Sequence, residues 1–175
     1  MATRNHVQRR EAIAEAAWSC FLQHGFAKTS LEDVARRAGV SRPLIYLHFP
    51  SKQELFSHVV LGVMDRVFDE AKQVVGLNLD RKTKLLRVVE IWLLEPLERL
   101  TASPLGNELF EEALGVSPEV EQRHRERTRE LLTAVIGDAT AAEVFSLAVG
   151  GLKIDQPSIE TLRGRMRVLT ERFVA

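Results

Sequence analysis

Thr29-Ser30-Leu31-Glu32-Asp33-Val34-Ala35-Arg36-Arg37-Ala38-Gly39-Val40-Ser41-Arg42-Pro43-Leu44-Ile45-Tyr46-Leu47-His48-Phe49 is the stretch that decides how the chain folds. Ser30 is an N-cap for a short helix over Leu31 to Ala38, with Asp33 three residues on in the capping-box position, and Gly39 ends it. Ser41 then caps a third helix, Arg42 to His48, whose Pro43 sits in the first turn, where a missing N–H costs nothing. Ala35 is small enough for the two helices to cross closely, Gly39 permits the unusual backbone of the turn, and Val40 fills the space beneath it. On this reading Leu31, Val34, Ile45 and Phe49 face a three-helix core, and Arg42, Pro43, Leu44, Tyr46 and His48 face outward.

Working outward, helical periodicity broken by Gly, Pro and Ser/Asp signals runs almost throughout, with no strand alternation, so the fold class is all-α with about nine helices. A first helix covers Arg4 to His24, with Ile13, Ala17 and Phe21 on its apolar face, and Gly25 stops it. From Lys52 a long fourth helix runs to about Val75, and Asp80 caps a fifth, Arg81 to Leu100, which is apolar around most of its circumference and kinked at Pro96. Ser103-Pro104 and Ser117-Pro118 open a sixth helix (Leu105 to Leu114) and a seventh (Pro118 to Ile136). The eighth, Ala139 to Ile154, is rich in small residues, and the ninth, Pro157 to Val174, carries a stripe at spacings of three and four. Two domains follow: residues 1–51, a helix-turn-helix module, and 52–175, a helical bundle.

Composition agrees with a folded protein of 175 residues, 45% hydrophobic and 27% charged. No stretch spans a bilayer and the N-terminus lacks a signal peptide's apolar core, which reads as cytoplasmic, with no membrane partner. The single cysteine, Cys20, excludes an internal disulfide and a thiolate metal cluster. Net charge is zero, but residues 1–58 hold eight Lys/Arg against five acids and the remainder 16 against 19, so any polyanion partner belongs at the N-terminal end.

At Phe26, Ser30, Val34, Ala35, Ala38-Gly39-Val40-Ser41, Leu44-Ile45-Tyr46, His48-Phe49, Lys52 and Leu55-Phe56 the sequence resembles the TetR family of one-component transcriptional regulators. The resemblance implies an N-terminal three-helix DNA-binding domain, a C-terminal helical domain with an effector pocket, and a homodimer joined by the last two helices. It makes Tyr46 and Lys52 phosphate contacts, assisted by Ser41 and His48, and gives base reading to Arg42, Pro43 and Leu44. Ser30 and Arg36 complete the DNA-facing set, Arg36 and Arg37 being either phosphate contacts or solvated surface. The chain carries Glu32 where some members have a basic residue, which argues against a base contact from the second helix. Lys52 at a helix start opposes the helix dipole, so an anion nearby explains it better than helix stability does.

Met64, Phe68, Trp92, Glu95, Phe110 and His124 are the candidate pocket residues, with His124 either a hydrogen-bonded core group or a polar contact to an effector. Phe145, Ala148, Leu152, Leu162, Met166, Leu169 and Phe173 are the candidate dimer contacts. The histidines show no metal spacing, no Ser or Cys sits in a nucleophile motif, and the carboxylates of Glu119 to Glu130 alternate with arginines as on a solvated face. An enzyme is therefore not expected, nor a cofactor or metal. The reading is a repressor that binds a near-palindromic double-stranded operator and leaves it when a small apolar or amphipathic effector binds. A regulator answering a partner protein is the alternative.

Overall fold

The computed structural model describes residues 2–102, 105, 106, 109, 112 and 118–174, with side chains from His6 onward. It is all helical among them. The elements are α1 (Ala2–Lys28), α2 (Leu31–Ala38), α3 (Arg42–His48), α4 (Lys52–Val75), α5 (Arg81–Val89), a π-helical turn (Glu90–Leu94), α6 (Glu95–Thr101), α7 (Pro118–Ile136), α8 (Ala139–Gly151) and α9 (Ile159–Phe173). The expected sixth helix, Leu105 to Leu114, lies mostly outside the described residues, as does Phe110. The chain divides into two compact units, Met1–Val63 with Leu100–Glu121, and Met64–Arg99 with Gln122–Ala175.

In the first unit, Ile13, Ala17 and Phe21 of α1, Val34 and Ala35 of α2, Ile45 of α3 and Phe56 of α4 close into one core, with Phe49 just past α3. Phe56 meets Phe21 edge-on at 5.0 Å and Phe26 at 4.7 Å, geometries favoured by the ring quadrupole. α1 is interrupted rather than ended at Gly25, whose backbone (φ 78°, ψ 165°) suits glycine alone. The buried hydroxyl of Thr29 donates to the Gly25 carbonyl at 2.7 Å, so this break has its own hydrogen-bond partner.

α2 forms as its residues dictate. Ser30 Oγ accepts from the Asp33 amide and Asp33 accepts from the Ser30 amide, each at 3.1 Å, and the two hydrogen bonds from Ser30 hold the Asp33 carboxyl below its usual range. At the other end Gly39 is left-handed (φ 65°, ψ 31°). The Val40 amide reaches the Ala35 carbonyl at 3.0 Å, closing a Schellman motif. Ser41 differs from expectation: its backbone is extended as an N-cap requires, but its hydroxyl makes no capping bond.

The second unit is built on Phe68, Ala71 and Val74 of α4, Leu85, Val88 and Val89 of α5, Leu131, Leu132 and Val135 of α7, Phe145 of α8, and Leu162 and Met166 of α9. The expected kink at Pro96 takes a particular form. Proline has no N–H for the carbonyl four residues back and its ring crowds that turn. Just upstream the helix widens instead, with the Glu95 amide bonded to the Glu90 carbonyl five residues behind. Arg163 of α9 grips Glu90 with Nε at 3.1 Å and Nη2 at 2.9 Å, and Nη2 also reaches Glu98 at 3.0 Å. α8 ends at Gly151, short of the expected Ile154, and residues 152–155 turn.

Candidate functional site

α3 is seven residues long and is held by Ile45, fully buried, and by Phe49 just past its end. Ile45 fixes which residues face in, because positions three and four later lie on the same side. His48 therefore belongs with Phe49 on the inner face, and the outward placement expected for it is corrected: it is 5% exposed. Its ring lies 4.3 Å from that of His6, and its Nδ1 has no hydrogen-bond partner among the described residues. Burial, and then the charges nearby, push this imidazole below its ordinary pKa.

The outer face consists of Arg42, Pro43, Tyr46 and Leu47, with Leu44 half-buried beside them. Leu47, 72% exposed, was missed by the sequence reading. The signal was there: it lies four residues after Pro43, on the face opposite Ile45. Arg42 rests on Tyr46 one turn on, its guanidinium 3.3 Å from the phenol oxygen and 5.6 Å from the ring centre. Arg36 and Ser30 are exposed, Arg36 beside Asp33 at 3.5 Å and Ser30 engaged in its capping box.

Two cations are already in use. Lys52 Nζ donates to the Phe26 carbonyl at 2.8 Å and the Ala27 carbonyl at 3.3 Å, and lies 4.4 Å from the Phe26 ring centre. The negative partner that a lysine at a helix start calls for is thus supplied by the last carbonyls of α1. Ser51 caps α4 itself, accepting from the Glu54 amide at 3.1 Å. Arg10, unremarked in the sequence reading, donates to the His48 carbonyl at 2.8 Å and lies 4.2 Å from the Phe49 ring centre, so it closes α3 in the same manner. The thiol of Cys20 is buried, which raises its pKa.

In the second unit Trp92 and Phe68 are buried, and His124 packs against both rings at 6.4 and 5.7 Å. Met64 packs at the edge of the same core. Glu95 is instead paired with Arg99 at 3.1 Å and half-exposed. Of the residues expected at a dimer contact, Phe145, Leu162 and Met166 are sealed inside their own unit, and Phe145 meets Phe173 at 5.2 Å. The apolar side chains that α8 and α9 leave in the open are Val144, Leu147 (70% exposed) and Val168. Beside them is an open recess of about 770 Å³ lined by Ala148, Gly151, Leu152, Gly164, Val168, Leu169, Arg165 and Arg172. None of the expected pocket residues lines that recess. Among the described residues no group of three His, Cys, Asp or Glu is placed to hold a metal, and no single helix is long and apolar enough to cross a membrane.

Residues 13–59 match the sequence pattern of "Bacterial regulatory proteins, tetR family". The chain is 32% identical over 83 residues to the HTH-type transcriptional activator FasR of Mycolicibacterium smegmatis, covering 47% of this chain and 38% of the relative. It is 42% identical over 55 residues to the probable acrEF/envCD operon repressor of Escherichia coli K12, covering 31% of this chain and 25% of that one. The matches thus span about two fifths or less of these relatives' length. Over nearly its whole length the chain takes the fold of a TetR-family regulator from Mesorhizobium loti, with TM-score 0.73 at 21% identity and 96% of each chain covered. It also follows SmeT, the repressor of the Stenotrophomonas maltophilia multidrug efflux pump SmeDEF, with TM-score 0.65 at 22% identity, covering 94% of this chain and 87% of that one. Residues Ile13 to Val59 thus carry the signature of the tetR family of bacterial regulatory proteins, and the chain as a whole takes the fold of the solved regulators it resembles.

Proposed function

We propose that this protein is a sequence-specific DNA-binding transcriptional regulator, a repressor, that grips a near-palindromic operator as a homodimer and releases it when a small apolar or amphipathic effector binds the second unit. The observation that carries this reading is the outer face of α3: arginine, proline, tyrosine and leucine standing exposed on a short helix whose other face is locked into a sealed core. A helix so held enters the major groove with its N-terminal residues at base edges. Arg42 has the donor fork that reads guanine, and its contact with Tyr46 parks it for the DNA-free state at little cost. Tyr46, Lys52, Ser41 and Arg36 serve the phosphates. His48 contributes from inside, by keeping the end of α3 in place.

Homodimer formation through α8 and α9 is supported by the exposed Val144, Leu147 and Val168 and by small residues that let a second backbone approach closely. Ala148, Leu152 and Leu169 retain their proposed role, and Leu147 replaces the sealed Phe145 at the centre. Two-fold pairing would set two copies of α3 about one duplex turn, roughly 34 Å, apart. FasR is named an activator and SmeT a repressor, so the sign of regulation is part of this proposal.

Fluorescence anisotropy with labelled duplexes over a salt series tests it. Affinity should fall steeply with salt as phosphate contacts release counterions, and purified protein that ignores duplex DNA at low ionic strength sinks the reading. Cross-linking or light scattering that finds a monomer unaffected by Leu147→Glu removes the dimer.

A further inference from the structure

Where α1, α3 and α4 meet, imidazoles and guanidiniums collect with little acid between them. His48, the last residue of α3, is 5% exposed, and its Nδ1 is buried without a hydrogen-bond partner among the described residues. From α1 it faces the His6 ring, tilted against its own at 4.3 Å, and Arg9 and Arg10 one turn on, with Arg10 Nη1 holding the His48 carbonyl at 2.8 Å. From α4, His58 lies 5.2 Å from the ring of the adjoining Phe49. α2 turns its charges elsewhere: Asp33 to Ser30 and Arg36, Arg37 to Gln23, and Glu32 towards Arg42. The carboxylate at this joint, Glu11, stands 3.7 Å from His58 Nε2. An imidazolium at His58 thus has an anion to meet, whereas one at His48 meets two arginines and another imidazole.

The neutral His48 ring tolerates this setting, because a bare lone pair at Nδ1 has no hydrogen to place. The protonated ring carries N–H at both nitrogens, so the Nδ1 hydrogen would be buried without an acceptor and the charge would sit beside Arg10. Both costs vanish when the end of α3 lifts and the ring reaches water. We propose that His48 is an acid-sensitive catch on α3: neutral, it keeps the helix seated for the duplex, and on taking up a proton it unseats the end of the helix and releases DNA. Burial, and then the charges of His6, Arg10 and Arg9, hold this imidazole below its ordinary pKa. The catch therefore stays shut at neutral pH and opens as pH falls below about 6.5. Its sign is opposite to that of simple charging, since protonating exposed histidines such as His6 adds positive charge and by itself tightens the hold on a polyanion. This inference rests on reading α3 as the helix that enters DNA.

Duplex affinity of the full chain at low, constant salt, stepped from about pH 8 to about pH 5, tests it. Kd should rise in acid, its slope approaching about tenfold per pH unit for one proton taken up on release. His48→Gln, whatever its affinity at the upper end, should lose none of it in acid, whereas His58→Gln should leave the loss in place. His6→Ala changes an exposed residue and removes a charge that opposes protonation, so it should move the onset of the loss to higher pH. Circular dichroism confirms that each variant is folded. Affinity that holds or rises in acid, a loss that survives in folded His48→Gln, or an onset unmoved by His6→Ala overturns the proposal. Tyr46 is the only tyrosine of the chain, so carbon-13-labelled tyrosine gives ring signals that report on α3 without DNA. They should shift over the same pH range in the native chain and stay in place in His48→Gln. If duplex is bound at neutral pH and acid tightens it, the catch falls and the regulator stands; if no duplex is bound but Tyr46 still answers acid through His48, the regulator reading falls and the catch remains.

Discussion

Lys52 and Lys153 solve the same electrostatic problem in opposite ways. The first begins a helix, where the dipole disfavours it, and spends its charge on two carbonyls at the end of α1. The second follows the end of a helix and is desolvated without an acid to meet it. A charge with its partner in the same chain is part of the scaffold, whereas a desolvated one without a partner costs stability. The surroundings differ accordingly: Lys52 lies over the Phe26 ring, which interlocks with Phe21 and Phe56, whereas no described carboxylate pairs with Lys153.

The contrast can be broken or sharpened by experiment. Phe56→Ala should give the largest loss, about 3–5 kcal/mol of unfolding free energy, because it removes the ring on which two others close; chemical denaturation reads it, and a loss under about 1 kcal/mol would mean this core is not what holds the module. Lys52→Met should come next, with about 1.5–3 kcal/mol lost for its charge-assisted bonds, together with weaker binding to all duplexes. Lys153→Met should act with the opposite sign and raise the melting temperature, since it removes an unpaired charge and keeps the apolar stem. If both lysine variants shift stability in the same direction, the distinction drawn between them is wrong. Arg42→Ala should lower affinity for the preferred operator by about 1–3 kcal/mol and flatten base preference at one position; uniform weakening across sequences would assign it to phosphate.

The smallest effect is in pH. His48 and His58 are both held below the ordinary histidine pKa, chiefly by burial, so the unfolded chain binds more protons than the folded one. Their neutral forms cost nothing above about pH 6.5, and stability declines as pH falls below that value. His48→Gln should flatten the decline of thermal stability between neutral and mildly acidic pH, and an unchanged slope would clear His48 of the role.

The helix-turn-helix was legible because its determinants are local: Ser30, Asp33 and Gly39 act on their own backbone within a few residues, and the boundaries of α2 and α3 follow from them. The stripe of Phe145, Leu162 and Met166 was read as facing a second copy because an apolar face looks the same whether its partner is in the same chain or another. His48 was misread for a related reason, its polarity weighing more than its register three residues after Ile45. Lys153 gave no signal at all, since a lysine near a helix end is ordinary and only the fold takes the acids away from it.

The widened turn at Glu90–Leu94 amounts to one residue more than an α-helix would use over the same stretch. At 3.6 residues per turn, each residue carries about 100° of rotation. The start of α6 just beyond the turn is therefore swivelled by a quarter of a circle and more relative to α5, and from there Glu98 meets Arg163. Removing one residue from this segment would shorten the chain trivially yet re-aim the whole of α6, so length variation here should act as a dial on orientation.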